Sequence, residues 1–136
     1  MEEKLLPKVI LSKASVSPGG EHAWKMEDVP KVIEAARVAG LANLGGQLQF
    51  QGSIGTAEPY WLNFEPTKRN INESWLQYVN RMAQETLKDF ERLCKNTDFE
   101  KEGCQNWKHI KEAKEKGINI NEHLWFVLYF KSDSTT

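Results

Sequence analysis

Residues 45–64 read GGQLQFQGSIGTAEPYWLNF, and polar and apolar positions alternate along much of that stretch. Leu48 and Phe50 fall on one side, and Gln47, Gln49 and Gln51 on the other. This period of two predicts a half-buried strand. GSIG at 52–55 supplies turn residues. In AEPYWLNF, Tyr60, Leu62 and Phe64 then alternate against Trp61 and Asn63, which predicts the second arm of an antiparallel hairpin. Pro59 has no N–H to donate, so it belongs at an edge, a strand start or a bulge. A later run, EHLWFVLYFK, places Leu124, Phe126, Leu128 and Phe130 on one face and Trp125, Val127 and Tyr129 on the other. Apolar residues on both faces predict a central strand, covered on both sides or on most of one.

The remaining segments read as helices and connections. KVILS at 8–12 is a short apolar run compatible with a strand, and SVSPGG at 15–20 reads as a loop. Val29, Val32, Ile33 and Ala36 recur at helical spacing, with Asp28 and Pro30 suited to a helix start and Gly40 to its end. EPTKRNIN at 65–72 is a polar connection. The longest helix follows it, on a stripe of Trp75, Val79, Met82, Thr86, Phe90 and Leu93. Leu76, Ala83, Leu87 and Cys94 widen that stripe, and Ser74 with Gln77 matches a capping box. DFEKEG at 98–103 is expected to break the helix. A shorter helix at 104–117 carries Trp107, Ile110 and Ala113 and stops at Gly117. The order β-α-β-β-α-α-β predicts an α+β fold. One domain over 1–136 is expected, with a mainly antiparallel sheet of about four strands, three helices and a mobile polar tail at 132–136.

Composition narrows the classes. A chain of 136 residues fits one domain and buries roughly two-thirds of its unfolded surface without a staple. Eighteen basic and 19 acidic residues give a net charge of -1, which provides no global field for nucleic acid. Cys94 and Cys104 make neither a disulfide framework nor a C-x-x-C pair, and three scattered histidines give no zinc spacing. No metal or cofactor is expected. The acidic N-terminus with its short apolar run is unlike a secretory signal, and no apolar stretch approaches the roughly 18 residues of a membrane span. A cytoplasmic protein with reduced thiols is expected.

Candidate chemistry is sparse. Gly40 and Gly45 have the spacing of a phosphate loop, but Gly46 and Gln47 stand where Lys and Ser or Thr should follow. The loop also follows a helix and enters a strand, the reverse of a phosphate site. Gly40 is therefore expected to cap a helix, and Gly45–Gly46 to turn into the strand. Gln47, Gln49 and Gln51 form either a solvated sheet surface or a hydrogen-bonding face, with Trp61 a neighbour by strand pairing. Glu21 and His22 sit beside a glycine pair, where a carboxylate that met the imidazole would orient it for acid–base work. Adjacent residues of an extended chain point to opposite faces, however. No motif places a nucleophile, so no catalytic residue is assigned. Cys94 reads as a buried core residue, and His109 and His123 as a solvated helix residue and a strand start. The carboxylates around the long helix, Glu85, Asp89, Glu91, Asp98, Glu100 and Glu102, alternate with Lys88, Arg92, Lys95 and Lys101 as a solvated face; an acidic subset would suit a basic partner.

The series GGQLQF, EPYWLNF and ESWLQYV, followed by LWFVLYF, resembles small uncharacterised bacterial proteins over about residues 22–130. Some of these resemble immunity proteins encoded beside polymorphic toxins. The resemblance implies a role in binding one toxin domain and blocking it. It carries over no binding residues. On this reading the partner is another protein, and the anchors are the aromatics Trp61, Tyr60 and Trp24 with the Gln face and acidic helix residues. The alternatives are a small-ligand binder or small enzyme built on Glu21 and His22, and a structural subunit that forms homo-oligomers.

Overall fold

The structure is a computed structural model that describes residues 2–17, 19–65 and 68–133. The last apolar run forms the middle of the sheet. Strand β5 (Leu124–Lys131) lies between β2 (His22–Trp24) and β3 (Ala42–Phe50), with β1 (Ser15–Val16) outside β2 and β4 (Asn63–Phe64) outside β3. All pairings are antiparallel. The α+β class matches the prediction, while the element count differs.

Helices seal one face of this sheet. Trp24, Leu48, Phe50, Phe126, Leu128 and Phe130 share a core with residues of α2 (Val29–Val38), α3 (Trp75–Asn96), α4 (Phe99–Asn106) and α5 (Lys108–Glu115). Phe126 is its hub: Phe90 meets it at 5.1 Å and Phe99 at 5.9 Å, both edge to face. Burying one such ring stabilises the fold by about 2–3 kcal/mol, beyond which aromatic pairs add directional preference. The N-terminal half of α3 packs separately on the start of β3, through Tyr78, Val79 and Met82 against Ala42 and Leu44. Arg81 ties this half to the preceding connection, donating to Glu73 at 2.6 Å, to Glu85 at 2.7 Å and to the Lys68 carbonyl at 2.9 Å.

Several expectations are corrected. KVILS is not a strand: Lys8–Leu11 is a helical turn, α1, entered through Pro7. Ile10 and Leu11 pack on the core while Val9 is exposed, and the indole of Trp24 donates to the Ile10 carbonyl at 2.9 Å. The segment 15–24, read as loop in its first part, is the hairpin β1–β2. The AEPYWLNF alternation breaks: Ala57 bridges Phe50 and β4 pairs with β3, while Pro59 and Tyr60 bulge between them. The long helix does end before DFEKEG, at Asn96, but the segment is itself helical: the Asp98 carboxylate accepts from the Lys101 amide and starts α4, which separates from α5 at the extended residue Trp107 and so splits the helix expected at 104–117. On α3 the capping box of Ser74 and Gln77 is present, but Leu76 is 68% exposed and Tyr78 takes its place in the buried stripe. Of the polar tail, residues 134–136 lie outside the described residues, as do Pro18 of SVSPGG and Pro66 and Thr67 of the connection.

The glycines resolve into two devices. Gly40 follows the last turn of α2 with φ +78°, and the next amide, Leu41, returns to the Ala36 carbonyl at 2.8 Å. Gly45–Gly46 is not a turn before the strand but a bulge inside β3, where the register against β5 shifts between Asn43 and Gly46. A Cβ on Gly45 would stand 1.9 Å from the Phe64 carbonyl oxygen at φ +92°, and one on Gly46 would stand 2.3 Å from the Val127 carbonyl oxygen.

Gly45→Ala should therefore lose about 3 kcal/mol or more; chemical denaturation giving less than 1 kcal/mol would contradict the bulge. Thr86 is buried on α3 with a hydroxyl that has no hydrogen-bond partner. Thr86→Val should raise stability by roughly 1 kcal/mol, because it removes an unmatched polar group at nearly constant shape; a loss in the same experiment would mean the hydroxyl is satisfied.

Candidate interaction surface

Antiparallel partners share a face, so the register defines the side of the sheet away from the Phe126 core. Gln47 lies opposite Val127 and Gln49 opposite Trp125, while Ala23 flanks Val127 on the other side. Period two then adds Glu21, Lys25 and Tyr129 to the same face. Ala23, Gln49 and Val127 are buried at its centre, whereas Gln47, Gln51, Glu21 and Trp125 are half-buried and Tyr129 is 40% exposed.

The polar groups of this face are ordered. Gln51 Nε2 donates to Gln49 Oε1, and Gln49 Nε2 donates to Glu58 Oε1. His123 Nδ1 lies 2.9 Å from the Gln51 carbonyl oxygen and fixes the end of this relay. Lys25 Nζ sits 5.6 Å from the centroid of the Trp125 ring. Partial burial, then the nearby charges of Glu58 and Glu3, raise the Glu21 carboxyl above its ordinary value. The Tyr129 phenol is raised by burial and then by Glu21 and Glu58.

The bulge between β4 and Ala57 carries the chain around the sheet edge. Glu58 turns to the amide face, while Trp61 turns to the helical side. The Trp61 ring stacks on Trp107 with centroids 5.7 Å apart and planes 5° apart. Its Nε1 donates to Glu102 Oε1 at 3.0 Å. Tyr60 meets Trp61 edge to face at 5.2 Å, and Trp107 in turn leans on Phe50 at 6.2 Å. Tyr60 is 72% exposed and Trp61 41%, so a projecting aromatic pair is braced against the core.

Other candidate residues are placed elsewhere. Trp24, expected as an anchor, is fully buried, because β2 turns it into the core beside Phe130. Glu21 and His22 do not converge. The His22 ring stacks on Trp24 at 6.0 Å, and its Nδ1 lies 3.5 Å from Glu3 Oε1, without hydrogen-bond geometry. Burial, with the Glu91 charge, pushes the Cys94 thiol up to about 11, which suits a packing role rather than a nucleophile. Among the described residues no His, Cys, Asp and Glu side chains group to hold a metal ion, and no helix is long and apolar enough to cross a membrane. A groove of about 830 Å³ lies between α4 and α5, away from the amides, and its lysines are interleaved with Asp98, Glu100 and Glu115. Lys114 there is already paired with Glu100 at 2.8 Å.

Sequence reasoning did not single out Glu58, Trp107 or Tyr129 as members of this surface, and named Glu102 only among the acidic helix residues. Tyr129 was legible in principle from the strand period, while Trp107 and Glu102 reach Trp61 only through the packing of α4. Compared with protein-family models, with curated proteins and with solved structures, the chain matches none.

A raised Glu21 carboxyl binds its proton more tightly in the folded than in the unfolded protein. Its contribution to stability is therefore full at low pH and falls as pH rises through 4.5 toward the raised value. Relative to Glu21→Gln, the wild type should lose stability over that window. An NMR titration placing Glu21 at or below 4.5, with no such divergence in unfolding curves, would contradict the arrangement.

Proposed function

We propose that this chain is a cytoplasmic protein-binding module, an immunity-like inhibitor that holds and blocks one bacterial toxin domain. The observation that carries the reading is the braced aromatic pair Tyr60–Trp61, stacked on Trp107 and held by Glu102. Large aromatic side chains held in one position lose little entropy on association and dominate interface energetics. The adjoining amide face supplies hydrogen-bonding groups that orient a partner without a large charge cost. The resemblance to toxin-immunity proteins agrees with this role. A ligand or catalytic site on Glu21 and His22 is not favoured, since the His22 ring stacks on Trp24 and faces Glu3 rather than Glu21.

Trp61→Ala tests the reading. The side chain is 41% exposed, so its removal should leave the fold intact. Affinity capture from the native host with wild-type bait should retain one stoichiometric partner, and the variant should bind it at least about 30-fold more weakly. Equal retention by both baits, or recovery of only a second copy of the chain, would overturn it.

A further inference from the structure

The N-terminal segment, residues 2–14, lies on the core side of the sheet as a strap. Among the described residues its backbone hydrogen bonds close within the segment, as from the Leu6 amide to the Glu3 carbonyl and from the Ile10 amide to the Pro7 carbonyl. Side chains hold it down instead. Leu6 is buried, Ile10 and Leu11 pack on the core, and Lys13 Nζ lies 3.9 Å from Asp28 Oδ1. Two further ties run through β2: the Trp24 indole donates to the Ile10 carbonyl at 2.9 Å, and His22 Nδ1 lies 3.5 Å from Glu3 Oε1. His22 links these two ties, because its ring also stacks on the Trp24 indole with centroids 6.0 Å apart. The His22 and Glu3 side chains are only 12% and 15% exposed, so solvent screens their interaction weakly. His22 Nδ1 is buried without a hydrogen-bond partner, which is a cost while the ring is neutral. A proton on the ring improves both contacts: the imidazolium attracts the Glu3 carboxylate, and the indole face attracts the imidazolium.

The other charges around the ring do not oppose this. Glu21, next in sequence, is a second carboxylate, raised by burial and then by the charges of Glu58 and Glu3. β1 brings no titratable side chain and sets Val16 opposite His22. The β2–β5 register, continued by one residue, sets Leu128 beside His22, while Tyr129 and Lys131 alternate to the other face with Val127. On the strap itself, Lys4 and Lys8 are exposed. From this geometry we infer that residues 2–14 form a pH-sensitive strap, clamped to β2 when His22 carries a proton and loosened when it does not. Protonation favours the clamped form, so clamping is complete below the histidine range and is lost as pH rises through it. Loosening uncovers Leu6 and the Trp24 indole, and so presents apolar surface at the upper end of that range. The inference stands apart from the protein-binding reading, since it uses none of the Tyr60–Trp61 surface.

The test is hydrogen exchange by NMR on the full chain from about pH 5.5 to about pH 8, expressed as protection relative to the intrinsic exchange rate at each pH. Protection of the Leu6, Ile10 and Ser12 amides and of the Trp24 indole should fall on the order of fivefold across that range, while the β5 amides hold. The midpoint of the fall should coincide with the titration of the His22 ring, followed in the same samples. His22→Gln and Glu3→Gln should each flatten the profile, whereas Glu21→Gln should keep it. Protection of the β5 amides reports in every variant that the fold is intact. A flat wild-type profile would overturn the inference, as would a His22→Gln profile that still follows the wild type. Strap and β5 amides falling in parallel would overturn it too, because the response would then be global. Should His22→Gln fail to fold, Glu3→Gln decides alone: a pH response retained in that variant removes the strap.

Discussion

The pairing of β3 with β5 is the constraint on which the rest depends. β5 is central, and its residues on one side, Phe126 above all, receive α3 and α4. That pairing closes around a bulge at Gly45–Gly46, where the backbones of β4 and β5 approach too closely for any side chain. A single extra residue resets which side chains point inward. Beyond the bulge, Leu48 and Phe50 enter the core while Gln47 and Gln49 face away. Before it, the buried Asn43 amide donates to the Ile33 carbonyl on α2 at 3.3 Å. Without the bulge, the parity of one end of β3 would be wrong, and a one-residue slip would bury glutamines or expose apolar residues.

The same register gives the protein two unlike sides. The helices seal the Phe126 side through interlocking aromatic pairs. The opposite side closes its centre with Val127 and Ala23 and surrounds it with amides, carboxylates and two aromatic rings. The loop from Glu58 to Leu62 connects the two, because Glu58 hydrogen-bonds the amide relay while Trp61 stacks against the helical layer. A partner contacting both would meet an aromatic projection beside a polar sheet floor.

Much of the fold was legible where one physical signal dominated. The alternation in QLQFQ and LWFVLYF gave β3 and β5 their faces, the capping box gave the start of α3, and the apolar spacing of Val29, Val32, Ile33 and Ala36 gave α2. Legibility failed where tertiary contacts outweighed local pattern. KVILS has β-branched residues, yet four residues cannot choose their own state, and docking of Ile10 over Trp24 makes them helical. The YWLNF alternation is genuine, but Pro59 cannot continue a ladder and the chain bulges there. Trp24 has the look of an interface anchor, and only its partner strand decides that it faces inward. The stack that braces Trp61 comes from residues 41 and 46 positions away, beyond the reach of any local pattern.

The most direct measurement of the two-sided sheet is NMR relaxation enhancement by a soluble paramagnetic gadolinium chelate. Strong enhancement is predicted at the side-chain amide of Gln51, the Trp125 indole and the ring of Tyr60, with the Trp24 indole and the Val127 methyls protected. Protection of Gln51 and Trp125 to the level of Trp24 would mean that the amide face is covered, and would contradict the account.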